Sequence, residues 1–425
     1  MMKKRVWVIG VLLSAFFLLS TASNYVYAVE PIVIGVPTSI GFLEGKEGLS
    51  SVNMAVAEIN AEGGVMVGGE KRPFKVESID LRDAAPGVPV PEALLGLEKI
   101  ILEKKPTALV VGPFRSEALL AGMDIIAKYK VPLLGTIAMT PGTEAKIKTD
   151  PEKYKYVFRT SLNVNYWVGM LVGTMKTLNA KFGLNKVYLM NQDVAWARGT
   201  AKGMTGWFKK AGWEVLGHDE FPTGAADFSS GLMKARAKGA QVLFTCFDMP
   251  QSGILVKQWK SMKVPALMVG FISPMAGQGA WKTFNGKIGG VMNAIFELGN
   301  VGSIKYPPAT KFHNAYKKRY GKYIEAGHGP APSYESVYIL KEAIERANSL
   351  DPDAIVAAIE KTDRKGVMGR IKFSPEHQVI YGVDPAETAT GCFFQWNEKG
   401  HRIIVYPPAL AEGEMKLPSW MKSAK

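Results

Sequence analysis

A chain of 425 residues with 47% hydrophobic and 21% charged side chains is globular, not disordered, and long enough to divide into two domains. Its formal net charge of +14 is spread over KKAGWE, KARAKG, KKRYGK and EKTDRKG, on separate helix ends and loops. A solvated surface of this kind lacks the basic, aromatic-interleaved stripe of a nucleic-acid binder.

The first stretch, MMKKRVWVIGVLLSAFFLLSTASNYVYAVE, sets Lys3, Lys4 and Arg5 before an apolar run from Val6 to Leu19 and ends in Val26-x-Ala28. That is the pattern of a cleaved secretory signal peptide. The run is shorter than the ~20 residues a spanning helix needs. Residues 1–28 are therefore expected to be removed, leaving a mature protein that starts at Val29. No Cys stands near this junction, so a lipid-modified N-terminus is not expected. The cysteines are Cys246 and Cys392, in the apolar runs LFTC and CFFQW. Export permits a disulfide between them, and the runs equally suit buried free thiols.

From Pro31 the chain alternates strands and helices: IVIGV, the helix SSVNMAVAEIN closed by Gly63-Gly64, FKVESID, a helix beginning near Pro91, ALVVG, a helix after Ser116, and VPLLG. After YVFRTS the alternation resumes with KVYLMN, the helix around WARGTAKGMTGWFKK, AQVLFTC, a helix through ILVKQWKSM, and PALMVG. Parallel sheets covered by helices are the expected result, one in each half. A weak internal repeat relates ALVVGPFRSEALLAGMDIIAKYKVPLLG to VLFTCFDMPQSGILVKQWKSMKVPALMVG. Registered on Lys130-Val131-Pro132 and Lys263-Val264-Pro265, it pairs Phe114 with Phe247. Equivalent loops then stand at the carboxyl ends of both sheets, where open α/β sheets bind ligands. Two amphipathic helices (PPATKFHNAYKKRYG and PSYESVYILKEAIERA), the short DPDAIVAAIEKT and a hairpin turning at Asn397 to Gly400 complete the chain.

Catalytic patterns are absent. There is no G-x-S-x-G elbow, no H-E-x-x-H and no closely spaced Cys/His set. GFLEGKEG resembles a phosphate loop only superficially, being one residue short and carrying Glu47 in place of the magnesium-binding hydroxyl. Binding signals are better. Ser116 and its neighbouring amides, at a helix start, suit a carboxylate, although a plain N-cap explains Ser116 equally. The loop GTIAMTPG offers amides from Ile137, Ala138 and Met139 with the Thr140 hydroxyl, or else an ordinary Thr-Pro turn. Trp196 in NQDVAWARG, and Phe247 with Asp248 in TCFDMP, stand at strand ends where aromatics either cover a ligand or pack in a core.

Through AVAEINAEGGV, VVGPFRSEA, VPLLGTIAMTPG, YVFRTS, NQDVAWARG, TGAADFSSGLMKARAKGAQVLFTCFD and SYESVYILKEAIERA, in that order, the mature chain resembles the leucine/isoleucine/valine-binding solute-binding proteins of ABC transporters. The resemblance implies the periplasmic binding protein-like I fold: two Rossmann-like α/β lobes joined by three crossovers, near Phe158-Arg159, Asn293 to Glu297 and Met368 to Phe373. Lobe one would comprise 29–158 with 297–368, and lobe two 159–296 with 369–425. It further implies a monomeric periplasmic protein without cofactor or metal, whose partners are a small-molecule ligand and permease subunits in the inner membrane. A sensor docking on a receptor ectodomain and an exported hydrolase are the rival readings. By resemblance Ser116 hydrogen-bonds a carboxylate, the 137–140 loop adds donors, Trp196 and Phe247 cover the ligand, and Tyr334 lines the pocket. Two departures stand out. Met139 replaces a hydroxyl, and Phe271-Ile272 stand where a carboxylate pairs with the ligand ammonium. Either Asp248, Glu44 or Glu335 takes that role or the ligand lacks an amine, because a buried unpaired ammonium is costly.

Overall fold

The apolar runs of the first half line up as a wholly parallel five-stranded sheet in the order Phe74–Asp80, Ile32–Thr38, Ala108–Val111, Leu133–Gly135, Val157–Arg159. The computed structural model describes residues 29–421 and 423, so the expected signal peptide lies outside the described residues. Ala108–Val111, central in the sheet, is buried at every position, as a parallel sheet covered on both faces requires. Helix Leu43–Ala61 packs with Pro330–Ala347 and helix Val90–Lys104 with Ser116–Tyr129, each pair against this sheet.

The second half forms a seven-stranded sheet ordered Arg402–Tyr406, Cys392–Trp396, Met292–Ile295, Leu267–Ile272, Val242–Phe247, Lys186–Gln192, Glu214–Phe221. Its five earlier strands are parallel, and the C-terminal hairpin adds two antiparallel ones. The two-residue period of a strand divides the core here. Val242, Phe244 and Cys246 share one apolar cluster with Leu171, Met175, Met204 and Phe208 of helices Val164–Phe182 and Ala195–Lys210. Leu243 and Phe247 share another with Leu232, Leu255, Val256 and Trp259 of helices Ser229–Ala237 and Gly253–Ser261.

The internal repeat is physical as well as textual. Lys130 and Lys263 both take left-handed backbone, φ 52° and 47°. In each case the next amide closes the preceding helix, Val131 onto the Ile126 carbonyl at 3.3 Å and Val264 onto that of Trp259 at 3.2 Å. This pattern satisfies orphan carbonyls at a helix end and releases the chain into the following strand.

The late helices return to the five-stranded sheet. The Tyr334 hydroxyl donates to Glu58 at 2.6 Å and that of Tyr320 to the Ser50 carbonyl at 2.6 Å. Residues Asp363–Gly366, Gly369–Lys372, Ala389–Thr390 and Tyr381–Gly382 build a small third sheet. It lies beside Phe158, whose ring stacks on His377 at 3.9 Å and meets Phe373 edge-on at 5.1 Å. Met368 to Phe373, where the third crossover is expected, thus runs into this sheet, and the chain joins the seven-stranded sheet at Cys392. Cys246 and Cys392 are both buried and free. Among the described residues, no helix is long and apolar enough to cross a membrane.

Candidate ligand-binding site

Strand Ala108–Val111 stops because its last residue and the next, Val111 and Gly112, both adopt left-handed backbone, φ 74° and 76°. Glycine takes that conformation freely, whereas a β-branched residue does so only where the surroundings hold it. The turn swings Phe114, Arg115 and Ser116 across the carboxyl end of the sheet. Helix Ser116–Tyr129 then begins with Arg115 as its N-cap and no side-chain cap bond. Ser116 is therefore the first helical residue, and its buried Oγ has no hydrogen-bond partner.

Ser116 faces a cavity between the two large sheets. From the five-stranded side come Phe114 and the loop Ile137, Ala138, Met139; from the seven-stranded side come Trp196, Asp248 and Phe271. Glu44, Phe296 and His328 complete the wall. The enclosed space is about 20 Å³, little more than the ~10–15 Å³ a single water requires. Three buried polar atoms on this wall have no hydrogen-bond partner: Ser116 Oγ, Glu44 Oε2 and Asp248 Oδ1. Buried polar groups are nearly always satisfied, so three on the wall of one cavity make it the candidate site for a polar molecule.

Glu44 arrives through GFLEGKEG, which is the start of helix Leu43–Ala61 and not a glycine loop. A Cβ at Gly45 would stand 2.2 Å from the Ser39 carbonyl oxygen, so glycine here permits a close backbone approach. The Ser273 hydroxyl donates to Glu44 Oε1 from the other sheet. Burial pushes the Glu44 carboxyl up to about 7, the Ser273 bond opposing and the Asp248 charge reinforcing the rise. Asp248 Oδ2 accepts from Arg115 Nη1 at 2.6 Å and from Trp196 Nε1 at 2.7 Å. Arg115 thus spans the gap between sheets while its own amide donates to Asp83 at 2.8 Å. His328 places Nδ1 2.8 Å from Glu297 and Nε2 2.7 Å from the Ile137 carbonyl. Burial works against its charged form, but the charge and hydrogen bond of Glu297 prevail and hold the ring above its ordinary value. Both ring nitrogens of His328 are thus engaged with oxygens other than that of Ser116.

Of the residues singled out from sequence, Ser116, Ile137, Ala138, Met139, Trp196 and Asp248 line this cavity. Thr140, Phe247 and Tyr334 do not. The Thr140 hydroxyl accepts from the Gly142 amide at 3.1 Å, as in an ordinary turn. Phe247 is fully buried among Phe221 and Phe228, centroids 6.0 and 5.6 Å away. Tyr334 bonds Glu58 and packs on Phe312 at 4.6 Å, at a different groove. Glu335 lies there too, held by Arg364 Nε at 2.7 Å, so of the three candidate carboxylates Glu44 and Asp248 remain. Phe114, Phe296 and His328 on the wall, and Arg115 beside it, are not among the residues that local sequence patterns single out. Arg115 carried the one usable signal: a cation between an apolar strand and a helix start needs a buried acid.

The description of the periplasmic binding protein family matches residues 37–393. The chain belongs to that family. Among curated relatives of this periplasmic binding protein, Leu/Ile/Val-binding protein homolog 7 of Brucella melitensis is 25% identical over 391 residues, covering 88% of this chain and 90% of its own. Homolog 8 of Brucella abortus is 24% identical over 388 residues, with 88% and 89% covered. Among solved structures, a putative branched-chain amino acid ABC transporter from Silicibacter pomeroyi superposes with a TM-score of 0.76 at 20% identity, over 92% of this chain and 100% of the other. The branched-chain amino acid transporter substrate binding protein LivJ from Streptococcus pneumoniae, in complex with isoleucine, gives 0.73 at 21% identity, over 89% and 100%. These likenesses are of fold, the periplasmic binding protein-like I arrangement of two parallel sheets flanked by helices.

Proposed function

We propose that this protein is the exported solute-binding component of an ABC importer, and that it closes over an amino acid with an apolar side chain and delivers it to permease subunits. The observation that carries this reading is the convergence of Ser116 Oγ, Glu44 Oε2 and Asp248 Oδ1, all without partners, on one aromatic-walled cavity. Ser116 and the first amides of its helix suit a carboxylate. Glu44 and Asp248 suit an ammonium, which in turn relieves the cost of burying their charge. The names of the curated relatives, and the isoleucine held by the pneumococcal protein, fit the same ligand class.

The mechanism is a trap. Bonds between the two sides hold the cavity shut: Arg115 to Asp248, Ser273 to Glu44, and the Ala195 amide to Glu117 at 3.2 Å. A solute touching Ser116 on one side and Asp248 on the other binds the closed form better than the open one and shifts the population toward it. The three passages between the sheets, after Arg159, after Ile295 and before Cys392, are where the rotation is absorbed. The mature protein starts at Val29, carries no lipid, acts as a periplasmic monomer and needs no cofactor.

Calorimetric titration of the Val29-start protein with leucine, isocaproate (leucine without its amine) and isoamylamine (leucine without its carboxylate) tests the reading. Leucine should bind at least about tenfold more tightly than either analogue, since each lost charged contact is worth ~1.5–3 kcal/mol. Isocaproate binding as well as leucine would remove Glu44 and Asp248 from the account.

A further inference from the structure

Beside the small cavity lies a larger chamber of about 370 Å³. Its wall is mostly apolar, with Phe42 and Leu43 from one side, Pro250, Ile254, Pro274 and Phe284 from the other, and Thr283 beside Phe284. Exposed Lys257 stands at its rim, Nζ 5.4 Å from the Phe284 ring centre. The two spaces share a border. Asp248 lines both, and the Ser273–Glu44 hydrogen bond runs along the division, Ser273 facing the chamber and Glu44 the cavity.

We infer that the chamber is the side-chain subsite, and that the preferred solute is an amino acid whose side chain is longer than leucine's and apolar throughout. This rests on the amino-acid reading above and goes beyond it. An α-ammonium drawn to Glu44 and Asp248 sits on the border, with the carboxylate turned toward Ser116. The side chain shares the same carbon and leaves in the remaining direction, into the chamber. The cavity's own space of about 20 Å³ has to widen even for the head group, so the side chain is left to the chamber, whose 370 Å³ falls in the range of drug-sized ligand sites. Aromatic and proline walls favour an aryl or long alkyl group: of the polar side chains on the lining, Asp248 and Ser273 stand on the border with the cavity, Lys257 is exposed, and the Thr283 hydroxyl is turned to the Gly279 carbonyl at 3.1 Å.

The test is a binding series of L-alanine, L-leucine, L-phenylalanine and L-biphenylalanine on wild type, Ile254→Trp and Leu43→Trp. The two variants fill the chamber from opposite walls and leave Ser116, Glu44 and Asp248 in place. Expected are affinities rising at least about tenfold from leucine to the aryl members in wild type, and losses of about tenfold or more for the aryl members alone in each folded variant, a tenfold change being a shift easily read by titration. Equal affinity for leucine and biphenylalanine in wild type, or variants that weaken leucine and biphenylalanine alike, would overturn the chamber assignment while leaving the head-group reading standing. If no member of the series binds, the chamber and the amino-acid reading fall together.

Discussion

Replacing Glu44 by Gln removes a carboxyl whose proton occupancy changes near neutral pH. Folding carries it from an ordinary 4.5 to about 7. Between those values the native state holds a proton that the unfolded chain has released, so stability falls as pH rises, at ~1.4 kcal/mol per pH unit for one such group. Over the whole interval the loss amounts to ~3 kcal/mol; the contribution is fully present below 4.5 and gone above about 7. Asp83 and Glu325, also pushed up by burial, add to the slope with the same sign. The readout is therefore the difference between wild type and Glu44→Gln, the Gln keeping an acceptor for Ser273. Urea unfolding at several pH values from 5 to 8 should show the wild-type curve falling more steeply, by an amount of that order. With leucine or phenylalanine bound, an ammonium beside Glu44 favours the carboxylate, so wild-type affinity should rise with pH through this window and binding should release a proton. Glu44→Gln should show neither effect. Parallel stability curves for the two proteins would mean that Glu44 is ionised throughout, and the geometry of a dry, half-satisfied carboxyl would be wrong.

Ser116→Ala should weaken amino-acid binding by about tenfold while leaving the unliganded melting temperature unchanged, since Oγ makes no bond to lose and a ligand hydrogen bond is worth ~1–3 kcal/mol; a drop in melting temperature with unaltered affinity would return Ser116 to a purely structural role. Arg115→Met leaves Asp248 buried beside Trp196 without its cation, a change that costs ~3–5 kcal/mol when the site cannot relax. The molecule can relax by opening, so the small-angle scattering radius should grow and affinity should fall, and an unchanged radius would show that this ion pair does not hold the lobes together. Cys246 and Cys392 should resist a thiol reagent in the native protein and yield two equivalents once unfolded without reductant, because both are buried and free and burial pushes both thiols well above their ordinary range; no thiol released on unfolding would establish a disulfide.

The alternation of apolar runs made the two sheets legible, because a strand buried on both faces has little choice of composition and the helix between has a period of its own. What escaped was irregular or depended on contact at a distance. GFLEGKEG reads as a loop because three glycines in eight residues argue against a helix, yet the first turn of Leu43–Ala61 passes so close to the Ser39 carbonyl that glycine is required there. The strands between Asp363 and Thr390 are two to four residues long, too short for a two-residue period to stand out. Arg115 and Asp248 are 133 residues apart, and no local pattern pairs them.

The internal repeat shows most clearly where such reading stops. Registered on its Lys-Val-Pro, it equates Phe114 with Phe247 and invites the conclusion that both cover a ligand. Regular pairing in the second sheet continues through Phe247, opposite Ile272, so the strand's alternation still governs Phe247 and sends its ring into the cluster with Phe221 and Phe228. In the first sheet Val111 and Gly112 break that alternation with two left-handed residues before Phe114 is reached, and the ring is free to turn toward the cavity. Asp248, one residue beyond the paired strand, is the first side chain in its copy released to do the same. Equivalent position in a repeat therefore fixes the backbone's route to the site, while the last paired residue of each strand decides which side chain arrives there.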